Sequence, residues 1–105
     1  QRGDDDIAHF TSVALAKTEN MELIRLVLPK ERAMPEHMVE GEITLQCLEG
    51  EIVCNAHGGS TVLQPGEMLF LLGGVPHSVQ AKVDSVALLT ILLKNGSTES
   101  KVFNP

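Results

Sequence analysis

Residues 64–81, QPGEMLFLLGGVPHSVQA, decide how the chain is read. Pro65-Gly66 is turn chemistry: proline pre-sets one turn position and glycine accepts the next. Residues 68–72, MLFLL, are continuously apolar and too few for a helix, so they read as a buried strand. Gly73-Gly74 breaks that strand, Pro76 turns the chain, and His77 opens another extended segment, HSVQA. A turn, a strand, a turn and a strand within so short a span is the grammar of a β-protein.

The same grammar holds outward in both directions. HFTSVAL (9–15) and MELIRLVLP (21–29, stopped by Pro29) are expected strands. KERAMPEHMVEG (30–41), broken by Pro35 and Gly41, reads as a loop leading into a strand. EITLQCLEGEIVCNA (42–56) reads as two strands about Gly50. HGGST (57–61) is a hairpin turn in which Gly58-Gly59 is expected to take positive φ. TVLQPGEMLFLL (61–72) is a strand, a turn and a strand; HSVQAKV (77–83) and SVALLTILLK (85–94) complete the series. No segment sustains a helical period, so the fold class is all-β, a sandwich or barrel. The 105 residues make one domain, with residues 1–8 an acidic N-terminal arm and 95–105 a C-terminal tail.

Composition narrows the function. The net charge is −6 and no Lys/Arg cluster forms a basic patch, which argues against nucleic acid. Three Phe are the whole aromatic complement, with no Tyr or Trp, so stacking platforms and aromatic cages have little to build on. No apolar run is long enough to span a bilayer. Two cysteines and no apolar leader point to the reducing cytoplasm, where a Cys47–Cys54 disulfide is not expected.

The motifs are more specific. PGEMLFLLGGVPHSV resembles the second motif of the cupin superfamily, G-x5-P-x-G-x2-H-x3-N, with Gly66, Gly74 and His77 in place. Leu72 stands at its proline position and Ala81 at its asparagine position. EHMVEGEITLQCLEGEI resembles the end of the first motif, G-x5-H-x-H-x3-4-E-x6-G, with His37 as first histidine and Gly50 as closing glycine. Val39 takes the second histidine position, Ile43 the glutamate position and Glu31 the leading glycine position. The resemblance covers roughly residues 31–81. It implies a double-stranded β-helix, a jelly-roll barrel, commonly dimeric, in which three His and one Glu hold one divalent metal. His37 and His77 are the metal ligands this chain retains, for Zn, Ni, Fe or Mn.

Strand alternation puts Ile43, Leu45 and Cys47 on one face, and the resemblance makes that face the barrel lining, with His37, Val39 and His77. Met68 is added to the expected pocket as an adaptable apolar wall. Cys47 reads as a small interior hydrophobe more than as a soft ligand. Glu42 alternates outward unless a bulge intervenes, and Glu36 and Glu40 sit on a loop able to fold over the mouth. His9 and His57 read as exposed. Three functions stand open: a barrel binding an unknown small molecule in an apolar pocket with His37 and His77 at its mouth; a metal-dependent dioxygenase, isomerase or lyase; and a dimeric structural or regulatory module. Without metal, the His pair is suited to general acid–base work on a carbonyl compound. MELIRLVL and SVALLTILL are apolar on both faces, so one face needs a cover, and a homodimer supplies it.

Overall fold

The computed structural model describes residues 10–93. The arm at 1–8, His9 and the tail at 95–105 lie outside the described residues. Nine strands follow one another: β1 (Thr11–Lys17), β2 (Met21–Leu28), β3 (Ala33–His37), β4 (Ile43–Glu49), β5 (Ile52–Ala56), β6 (Gly59–Leu63), β7 (Met68–Leu71), β8 (His77–Ala81) and β9 (Ser85–Leu92). They form two sheets in the orders β1-β2-β9-β4-β7 and β3-β8-β5-β6. Every pairing is antiparallel. The chain changes sheet after β2, β4, β7 and β8, which makes the structure a jelly roll. No helix among the described residues is long and apolar enough to cross a membrane.

Alternation builds the core. Leu26 and Leu28 of β2 share a face with Ala87 and Ser85 of β9, and Leu45 and Cys47 of β4 continue that face. Ile52 and Cys54 of β5 and Val79 of β8 close over it from the other sheet. All of these are at most 5% exposed, and each large aliphatic among them stabilises the fold by about 1.5–3 kcal/mol. Ser85 is the polar member of this row. Its hydroxyl donates to Val83 O at 2.7 Å and accepts from the Glu51 amide at 3.1 Å, so it is satisfied where it is buried.

Three local features depart from the sequence reading. Residues 33–37 are a strand rather than a loop. Pro35 is tolerated because β3 is an edge strand and because the register slips between Met34 and His37. The 57–61 turn takes positive φ at His57 (56°) and Gly58 (76°), so Gly58, not Gly59, is the second left-handed residue. Two such residues between Ala56 and Gly59 are what a two-residue hairpin matched to strand twist requires. Met68 is the third correction. It pairs with Gln46, on the face opposite Leu45, and is 54% exposed. Leu69 and Leu71 of β7 turn inward instead, so Met68 is not in the barrel lining.

The Gly73-Gly74 break is a fastening. Gly74 has φ 80°, and its amide donates to Val39 O at 2.8 Å. A Cβ on Gly73 would run into the Glu40 carbonyl. The β7–β8 connection therefore lies directly on the 39–41 segment, and both are held at one end of the barrel.

Candidate functional site

That end of the barrel carries the two histidines. His37 closes β3 and His77 opens β8, and they are direct cross-strand partners. Plain alternation from Met34, whose partner is Val79, would place Glu36 opposite His77. The extra residue in β3 shifts the register by one, so His37 faces inward and Glu36 outward. The rings stand 4.5 Å apart between centroids, tilted by 55°.

The ring nitrogens are set by the backbone. His37 Nδ1 lies 3.1 Å from Pro35 O, and His77 Nδ1 lies 3.0 Å from Val75 O. A carbonyl oxygen only accepts, so both Nδ1 atoms carry hydrogen. In the neutral ring each Nε2 is then a bare acceptor. His77 is 3% exposed, and its Nε2 is buried with no partner. An orphaned buried acceptor costs about 1–3 kcal/mol unless something donates to it.

The remaining expected residues separate into wall and core. Val39 is partly buried against the core beside the mouth, and Ile43 is 3% exposed at the same end. Leu45 and Cys47 follow at successive inward positions of β4 and are fully buried. Cys47 is about 13 Å along the strand from Ile43. Burial, and next the Glu51 and Glu67 charges, push its thiol pKa up; burial alone does the same for Cys54. Both cysteines are free and held as thiols, which removes Cys47 as a soft ligand. Glu36 points to the outer side, in a groove with Asn55 and Ser60, and does not fold over the mouth. Glu40 does line the mouth.

Glu22 was missed by the sequence reading. It pairs with Ile91, and Ile91 pairs with Ile43, so Glu22 stands on the inward face at the His end. It lines an open cleft of about 390 Å³ with Val39, Glu40 and Ile91. Counting alternation back from Leu28 would have found it, because residues 22, 24, 26 and 28 share one face.

A four-ligand metal centre does not fit this donor set. The second-histidine and glutamate positions hold Val39 and Ile43, which have no donor atoms. Among the described residues no group of three or more His, Cys, Asp or Glu is arranged to hold an ion.

No protein-family model matches the chain, and no curated protein matches it. Solved structures do. A cupin superfamily protein of Desulfitobacterium hafniense superposes with a TM-score of 0.78 at 20% identity, over 82% of this chain and 79% of that one. An RmlC-like cupin of Desulfovibrio desulfuricans gives 0.76 at 27% identity, over 88% of each chain. The chain has the cupin fold. KdgF of a Halomonas species gives 0.73 at 15% identity over 83% of this chain and 81% of that one, a likeness of fold alone. Against the cupin motif, Glu31 keeps the backbone of the glycine it replaces. Its φ is 67°, and its amide donates to Ala81 O at 2.9 Å. In this cupin the motif's turns are kept, while half of its ligand positions are apolar.

Proposed function

We propose that this cupin is a small-ligand-binding barrel in which His37 and His77 present two Nε2 acceptors at an aliphatic mouth. The observation that carries this reading is His77 Nε2, buried and without a partner. Buried polar atoms are otherwise satisfied, and an acceptor left open at a concave end is a place for a donor to bind. Val39, Ile43 and Ile91 supply an apolar wall, so the ligand has a hydrocarbon part as well as a polar one.

The metal-dependent enzyme reading has less support. Two imidazoles with fixed Nδ1–H groups form a weak chelate, and catalytic metal sites of this kind need three protein ligands and an open position. The proposal is tested by NMR of the His37 and His77 rings while a set of small fragments is added in the presence of a chelator. The expected result is a shift of the His77 ring nitrogen with at least one fragment, lost in His77→Leu. Rings that move with zinc alone, at stoichiometric affinity, would overturn it in favour of the metal reading.

A further inference from the structure

Resting on that reading, we infer that the ligand is a small organic ammonium ion with an aliphatic body, not a carboxylate, a phosphate or a neutral alcohol. Both imidazoles are committed by their Nδ1–H groups to backbone carbonyls, so the two Nε2 atoms accept and do not donate. A carboxylate or phosphate brings only acceptors and finds no donor there. The surrounding charge has the same sign preference. Glu22 and Glu40 line one cleft at this end, and Glu40 and Glu42 line its neighbour of about 460 Å³. Neither cleft is lined by Lys or Arg among the described residues. Lys17, the cross-strand partner of Glu22 on β1, is the cation nearest in register, and it is exposed.

The valences match. An alkylammonium has three N–H donors, and the mouth offers His37 Nε2, His77 Nε2 and the Glu22 carboxylate. Two of these receive charge-assisted hydrogen bonds from a cation. The buried, unpartnered His77 Nε2 separates this end from an ordinary run of surface glutamates: it is an acceptor already taken out of water and unpaid for by any protein donor. The aliphatic chain would lie on Val39 and Ile91, both partly buried. With no Tyr or Trp in the chain, the cation is held by acceptors and carboxylate, not by an aromatic cage.

The test uses three isosteres, n-butylammonium, n-butyrate and n-butanol, each titrated into the metal-free protein and followed at the His37 and His77 ring nitrogens. Butylammonium is expected to bind in the millimolar range, at least about tenfold tighter than the other two. Glu22→Gln is expected to weaken butylammonium about fivefold or more and to leave butanol unchanged, with circular dichroism reporting that the barrel is intact. Butyrate or butanol binding as well as the amine would overturn the ammonium assignment and leave the small-ligand reading standing. No binding by any of the three, with zinc moving both rings, would overturn both.

Discussion

His77 shows what a single residue costs and offers. Its Nε2 lies unpaired in the core, so the fold gains nothing from that atom. His77→Leu removes the orphan acceptor and forfeits the Nδ1–H bond to Val75 O. We expect the urea midpoint of this variant to stay within about 1 kcal/mol of the parent or to rise. A loss above about 2 kcal/mol would mean that Nε2 is satisfied in solution by the protein itself. The cysteines make a second prediction at this scale. Burial raises both thiol pKa values in the folded state, so between the unfolded and folded values the native chain holds more protons than the unfolded one. Stability from these thiols is complete below the ordinary thiol range and is lost as pH rises through it. Urea midpoints at about pH 7.5 and pH 9.5 should fall with pH, and the fall should shrink in Cys54→Ala. A midpoint that rises over that interval would contradict the burial of both thiols.

The strands make sharper claims because alternation assigns each side chain to one face. In β7, Leu71 is 6% exposed and Met68 54%. Leu71→Ala is expected to cost about 2–4 kcal/mol in chemical denaturation, and Met68→Ala less than about 0.5 kcal/mol in a monomer. Comparable losses would place Met68 against something, whether lining or partner. Gly50 joins β4 to β5 with φ 86°, and a Cβ there would meet Asp84 O at 2.5 Å. Gly50→Ala should cost about 2 kcal/mol or more, read as a lower melting temperature. Most strands could be read from turn residues and periodicity. β3 could not. Its polar residues and Pro35 break every local strand signal, and only pairing to β8 holds it extended. Met68 went astray for a related reason: the run MLFLL has no polar residue to mark which parity faces out, and its register against Gln46 decides.

For the whole molecule, the open question is what covers the outer face of the five-stranded sheet. The register puts Leu23, Val27, Val86, Leu88 and Phe70 on that face, and Arg25 is its charged member on β2. β1 extends the sheet by a strand that is exposed along its full length. A face this apolar on a chain of net charge −6 suits a second copy, because burying it separates no charges and leaves the acidic surface outside. Light scattering at micromolar concentration is expected to give a dimer, and Leu88→Glu to give the monomer with an unchanged circular dichroism spectrum. A parent protein that runs as a monomer would remove this proposal.

Local chemistry was enough to determine an all-β chain, the positions of its turns, the inward parity of Ile43, Leu45 and Cys47, and, through motif spacing, the meeting of His37 with His77 across 40 residues of chain. Those properties depend on residue type and short periods, which a sequence carries directly. The tertiary structure alone decided that the bulge in β3 turns His37 in and Glu36 out, that Glu22 joins the mouth, that Met68 leaves the lining, and that His77 Nε2 has no partner. Each of these depends on which strand lies beside which and in what register. A shift of one residue exchanges the two faces of a strand, and no short stretch of sequence contains the partner that sets it.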